Sequence, residues 1–338
     1  MTVFVKTLSD LVALFLQALR FDMLLPSVIL VGLNVAVVWP RFQSTGLFQR
    51  LQALEIDFSS GMIAGFAVLL IAYALNVLNG NIIRLYEGYP WLWTGIGQLL
   101  RDSNERRVHY LKDKSRELRE QAQLCLSDPT KRSKIEVQKN ALEEELNYNY
   151  PQFELRRILP TRLGNVIACA EQYPSVLYDI DSVALWPYLV PFLQKSGYVT
   201  FVASEKSLLD FLLNMSVITL VFGAEWLYTD FLFAPTVSDL RFWGAMVFKA
   251  MIVCFAAYLF YVFAIQGASA WGHTVRVAFA LHKDALREHL GLKPFRDEVD
   301  ERARWKYVGY FFRDQNKRAA AEIFDYGALA QRQTQDNQ

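Results

Sequence analysis

Residues 208–233, LLDFLLNMSVITLVFGAEWLYTDFLF, and residues 242–266, FWGAMVFKAMIVCFAAYLFYVFAIQ, decide the fold. Each run is long enough to cross a bilayer, whose hydrocarbon core of about 30 Å takes roughly 20 helical residues. Only Ala234 to Arg241 lie between them. So short a link makes the pair an antiparallel transmembrane hairpin. Glu225 and Lys249 stand about equally far from the middle of that link. Matched depth predicts an intramembrane ion pair, because a charge at membrane depth costs about 2.5–3.5 kcal/mol and seeks a partner or water.

Working back toward the N-terminus, Gly61 to Asn79 and Leu24 to Trp39 are two more apolar runs of spanning character. In the first of these, Gly61, Gly65, Ala72, Asn76 and Asn79 fall within about 60° of one another at 100° per residue. Small residues allow close helix approach and an amide can bond across helices in lipid, so this is a packing face or a pore lining. In Leu208–Phe233, Asp210, Asn214 and Glu225 share one face to within about 60°. They are candidates for either role as well. Trp39-Pro40-Arg41 reads as an interface anchor and a helix stop.

The 338 residues are 53% hydrophobic yet 20% charged, so the apolar residues must be segregated. Of 35 Lys and Arg, 17 lie within 81–206 and 12 within 267–338, whereas the expected outer loops hold only Arg41, Arg50 and Arg241. The positive-inside bias therefore puts both long polar segments, and both termini, in the cytoplasm. The expected order is an amphipathic interfacial helix over 1–21, in place of a cleaved signal, then helices one and two with their outer loop over 22–80. A cytoplasmic helical domain follows over 81–206, the transmembrane hairpin over 207–270, and C-terminal helices with a disordered tail over 271–338. Fold class is all-α membrane protein with four transmembrane helices.

Inside 81–206, charge-rich helical periodicity over about 97–148, broken at Asp128-Pro129, predicts an antiparallel helical hairpin. Acidic residues interrupt its basic cluster, which argues for a solvated face and against nucleic acid. The part over about 153–204 looks least helical. There Asp181 or Ser182 caps a short helix that stops at Pro187, and Pro191 breaks the chain again. Its short motifs are Arg162-Leu-Gly-Asn165, Glu171-Gln-Tyr-Pro174 and Asp181 through Trp186-Pro187, preceded by Arg84-Leu-Tyr-Glu87-Gly-Tyr-Pro90. With these motifs the stretch 79–187 resembles an uncharacterised family of bacterial multi-pass membrane proteins. The resemblance implies a bacterial inner membrane and carries no activity. Arg84, Glu87, Asn165, Glu171, Asp181 and Trp186 are its marked positions.

No catalytic signature stands out against this background. The chain has no glycine-rich phosphate loop, Gly-x-Ser-x-Gly elbow, His-Glu-x-x-His or Cys-x-x-Cys pattern. His282 and His289 stand two turns apart, about 10 Å, too far to share an ion unaided. Cys125, Cys169 and Cys254 have no metal or redox spacing and read as reduced, small hydrophobes. Glu171, Asp179 and Asp181 suit caps and turns better than acid–base work. No cofactor, metal or enzyme activity is expected. The expected function is an oligomeric channel or pore controlled through its cytoplasmic domain, a defence effector being one such pore. The alternative is a non-conducting scaffold that recruits a cytoplasmic protein partner.

Overall fold

The computed structural model describes residues 21–43, 60–125, 128–151, 153, 155–233 and 240–314. The expected helix over 1–21, the outer loop after Gln43, most of the link after Phe233 and the C-terminal tail lie outside these residues. The regular elements are helical. They are α1 (Phe21–Leu33), a π-helical turn (Asn34–Val38), α2 (Trp39–Gln43), α3 (Ser60–Glu87), a 3-10 turn (Tyr89–Trp93), α4 (Gly95–Leu124) and α5 (Pro129–Asn149). A second 3-10 turn (Leu155–Arg157) leads to α6 (Arg162–Tyr178), α7 (Ser182–Lys195), α8 (Tyr198–Leu232), α9 (Leu240–His289) and α10 (Glu298–Asp314). Among the described residues four stretches are long and apolar enough to span a membrane: Phe21–Phe42, Gly61–Glu87, Tyr198–Leu232 and Leu240–His289. Helices α6 and α7 are together apolar enough too, but they meet at 86°. The chain forms two units, residues 1–85 with 207–266, and residues 86–206 with 267–338.

In the first unit α8 and α9 run antiparallel in one register. Ser216 Oγ donates to the Ala257 carbonyl at 2.9 Å, and Lys249 Nζ meets Asp230 Oδ2 at 2.6 Å. Between these levels a Cβ on Gly223 would sit 2.2 Å from Val253 Cγ1, so only glycine lets the helices approach this closely. Ser216, Gly223 and Asp230 are spaced by sevens, the repeat of a helix seam.

The first span departs from expectation at its C-terminal end. Pro40 does not stop it. The helix passes through a π-helical turn in which Trp39 N–H bonds to the Asn34 carbonyl, and runs on to Gln43. Pro40 has no N–H and its ring crowds the preceding turn, so a widened turn just before it accommodates the ring. Helix α3 also differs from its expected face. Ala72, Leu75 and Ile82 are its buried residues, whereas Gly61, Gly65 and Asn76 are exposed. Of the expected packing face, Ala72 alone is fully buried.

The second unit is built from caps and a latch. Thr94, Asp128, Thr161 and Asp181 each accept the backbone N–H three residues on, starting α4, α5, α6 and α7. Helices α4 and α5 are tied by a bidentate Arg107–Glu145 pair and by Arg119 and Ser115 on Glu143, over a core of Val108, Leu111, Leu146, Tyr150 and Ile158. A larger core joins Ile180 and Leu185, Leu189 and Leu193 of α7 to Phe279 and Leu286 of α9 and Trp305 and Val308 of α10.

Helix α7 corrects the expectation of a stop at Pro187, for it runs through both Pro187 and Pro191 to Lys195. Val183, Pro187 and Pro191 form one exposed stripe, opposite the fully buried leucines. The backbone carbonyls left without donors therefore lie on the open side, where each lost bond costs only about 1 kcal/mol. Burial of each leucine contributes about 2 kcal/mol. Packing outweighs the two missing donors.

Candidate functional site

Polar side chains of the first unit fall into two layers, called outer and inner after the sides expected from the charge bias. In the outer layer, Asn34 at the head of the π-helical turn donates through Nδ2 to Glu225 Oε2 at 2.8 Å and to the Leu30 carbonyl at 3.1 Å. Asp230 sits between two cations, Lys249 Nζ at 2.6 Å and Arg41 Nη1 at 2.8 Å. The Lys249 ammonium also lies 4.9 Å from the centre of the Trp226 ring.

The expected Glu225–Lys249 pair is thus replaced by two others, Lys249–Asp230 and Asn34–Glu225. Matched depth leaves azimuth out. Glu225 follows Gly223 by two residues, about 200° around the helix, and Gly223 is the residue against α9. Glu225 accordingly faces α1. Lys249 leans toward the N-terminus of its own helix, as helical side chains do, and that direction leads to the level of Asp230. The seven-residue spacing Ser216–Gly223–Asp230 is the signal in the sequence that singles out Asp230. Asn34 has only its isolation as an amide in an apolar run.

In the inner layer, Asn214 donates through Nδ2 to the Asp22 carbonyl at 3.3 Å and to Met23 Sδ at 3.0 Å. Asp210, Asn214 and Ser27 are fully buried and Asp22 is 1% exposed. The Asn214 Oδ1 atom is buried without a hydrogen-bond partner. Asn214 and Glu225 both meet the first span, and Asp210 is fully buried. Asn214 with Asp22, and Glu225 with Asn34, advance along both chains together, so α1 and α8 run parallel. Eleven residues of α8 separate the two layers, about 16 Å of helix. Leu30 and Ile218 are buried between them. Of the other amides, Asn76 is exposed, and Asn79 is half-buried with its Oδ1 lacking a partner.

A cavity of about 620 Å³ opens at the outer layer, lined by Leu30, Val35 and Trp39 of the first span, Ala64 and Ile71 of α3, and the polar pair Asn34 and Glu225. π-Helical turns inside helices recur at functional sites because they redirect side chains and free backbone groups. Here the turn supplies three of the cavity's lining residues, Asn34, Val35 and Val38.

The marked motif residues of the second unit are absorbed by its folding. Thr161 Oγ1 donates to the Glu87 carbonyl at 2.7 Å. Gly88 takes φ +95° against Pro160 and Thr161, and a Cβ on Gly164 would lie 2.2 Å from the Glu87 carbonyl oxygen. Asn165, fully buried, clasps the same loop: it accepts from Leu159 N–H at 2.8 Å and donates to the carbonyls of Leu159 and Thr161 at 2.9 Å each. The Glu-Gly-Tyr-Pro and Arg-Leu-Gly-Asn motifs are therefore two halves of one latch. Asp181 caps α7 and pairs with Arg313 at 3.1 Å, Asp179 pairs with Arg302 at 2.7 Å, and Trp186 packs against Phe279. Arg84 is exposed on the last turn of α3.

Burial alters the acidity of several groups of this unit, Glu171 and Cys169 among them. Burial pushes the Glu171 carboxyl up, with Arg157 pulling the other way. Burial also raises the Cys169 thiol, opposed by Arg276, whose Nη2 lies 3.2 Å from the sulfur. Arg276 is itself held over the rings of Tyr148 and Tyr173. Among the described residues no three His, Cys, Asp or Glu side chains converge as a metal set. The first unit's arrangement can hold charge at membrane depth and accept hydrogen bonds from a guest in its cavity. Comparison with family models, with curated proteins and with solved structures finds no match to this chain.

Proposed function

We propose that the protein is a channel-type integral protein of a bacterial inner membrane, conducting protons or small cations along the α1–α8 seam. One observation carries the reading. Asp22, Ser27, Asp210 and Asn214 are buried in otherwise apolar spans, and an intramembrane ionisable residue is by default a functional one. The seam lies within one chain, which moves the path from the centre of a ring of subunits to the interior of each subunit. Between the two polar layers Leu30 and Ile218 act as a dry constriction, the kind that gates by dewetting. Exposed Asn76, on the same helix face as the open glycines Gly61 and Gly65, supports association of several copies through α3. The segment 81–206 and the C-terminal helices form the controlling cytoplasmic part, a placement supported by their Lys and Arg content. Helices α8 and α9 carry residues of both units.

Flux from proteoliposomes tests this. Ile218→Asn, which wets the constriction, should raise proton or potassium flux at least tenfold over the unmodified chain, and Asp210→Asn added to it should suppress or re-select that flux. A folded Ile218→Asn variant no leakier than empty liposomes would remove the conduction reading.

A second reading, the membrane scaffold, is favoured by the α4–α5 arm. Its surface exposes Leu99, Leu100, Tyr110, Leu124 and Val137 among paired charges. Deleting 100–148 should then abolish capture of a defined cytoplasmic partner and leave membrane insertion intact.

A further inference from the structure

The outer cavity has a chemistry that the conduction reading does not use. Its walls are apolar, and its charged or amide lining side chains are Glu225 and Asn34 alone among the described residues. Both hydrogens of the Asn34 amide are committed, one to Leu30 and one to Glu225. The assignment of nitrogen and oxygen in that amide is unambiguous, since both neighbours are acceptors. What remains for a guest is Asn34 Oδ1 and the second oxygen of Glu225. These are acceptors, one of them on a carboxylate. The cations Arg41 and Lys249 both sit on Asp230. Among the described residues the partner of Glu225 is an amide and not a cation.

A carboxylate on an apolar wall at membrane depth is costly without a counter-charge. A neutral hydrophobe filling the cavity would gain apolar contact but leave the acceptors unmet, and an anion would be repelled. An ammonium head satisfies both acceptors, and the rest of the lining is apolar. The volume, about 620 Å³, lies in the range of small-molecule sites. It admits a head together with part of a chain.

We infer that this cavity binds a membrane-borne amphiphile with an ammonium head, the head on Glu225 and Asn34 Oδ1 and the tail along α1 and α3. The site stands on the cavity and its acceptors, whether or not the α1–α8 seam conducts.

The test is equilibrium binding of dodecylammonium to the full chain purified in dodecyl maltoside, followed by native mass spectrometry, with dodecanol as the neutral match. One dodecylammonium should bind per chain at least tenfold tighter than dodecanol, and Glu225→Gln should erase that preference. Ala64→Leu, which fills the cavity without touching the acceptors, should weaken both ligands. Equal binding of the two ligands, or an ammonium preference that survives in folded Glu225→Gln, overturns the proposal. If Glu225→Gln does not fold, unchanged binding to Ala64→Leu overturns it instead. Lipids extracted with the chain separate the two sources of such a head: an aminophospholipid recovered near one per chain identifies a lipid occupant, and its absence with dodecylammonium binding retained identifies a free amphiphile. Flux plays no part in this readout, so it fails independently of the conduction reading.

Discussion

The two units use many of their polar side chains to different ends. In the second unit several answer backbone. Thr94, Asp128, Thr161 and Asp181 cap helix starts, and Asn165 satisfies the loop around Leu159. In the first unit a spanning helix satisfies its own backbone over most of its length. Polar side chains there mostly turn to other helices: Asn34 to Glu225, Lys249 to Asp230, Asn214 to Asp22 and Met23, and Ser216 to Ala257. A capping residue in the second unit is thus explained once the nearest turn is known. In the first unit Ser27, Thr219 and Thr229 bond their own helix, whereas Asn34, Asn214 and Lys249 are explained by a different helix, and Asn214 Oδ1 is left unmet.

The contrast can be broken most severely at the latch. Gly164→Ala would press a methyl to 2.2 Å from the Glu87 carbonyl oxygen. Backbone cannot move aside as a flexible side chain can, so the second unit should lose about 3 kcal/mol or more, the upper range for overpacking. Accelerated proteolysis of the second unit in detergent would register the loss, and a melting point unchanged by this variant would show that the latch is slack.

Next comes Asn165→Ala, which strands the buried Leu159 N–H and removes the amide from two carbonyls. Each unmet buried group costs about 1–3 kcal/mol, so a loss of about 2–3 kcal/mol is expected. Asn165→Asp, retaining only the acceptor, should recover part of it. Full recovery would mean that the two donated bonds are dispensable.

A double-mutant cycle sharpens the comparison in the first unit. Coupling between Lys249→Met and Asp230→Asn should be about 1–2 kcal/mol, because Arg41 remains on Asp230 and softens the loss. The cycle of Lys249→Met with Glu225→Gln should give coupling near zero. A larger value for Glu225 than for Asp230 would restore the pairing inferred from depth alone.

The smallest expected effect concerns pH. A carboxyl whose folded value is raised is favoured protonated in the fold, so its contribution is whole below the ordinary value of 4.5 and declines as pH rises through the raised value. Glu171→Gln should therefore raise the melting temperature at neutral pH and leave it nearly unchanged at pH 4. A stabilisation equal at both values would place its cause outside ionisation.

Legibility followed the range of the interaction concerned. The four spanning runs and the break at Asp128-Pro129 were readable, because hydropathy and capping act within a few residues. The course of α7 through Pro187 and Pro191 was not. The prolines argue locally for a stop, and only burial of Leu185, Leu189 and Leu193 beneath α9 and α10 overrides that local tendency. The motif Arg162-Leu-Gly-Asn165 was visible as a pattern, but its purpose is held by Glu87, some seventy-five residues away in the chain.

The sequence by itself determined which stretches are apolar enough to span, and that charged and amide side chains must lie within those spans. Tertiary structure alone decided which way each of those side chains faces. Depth along a helix is counted in residues, so Glu225 and Lys249 match by counting alone. Azimuth is fixed by whichever neighbouring helix approaches most closely, and that was settled by Gly223 against Val253. With that contact made, Asp230 turns to Lys249 while Glu225 turns to Asn34 at the edge of the cavity.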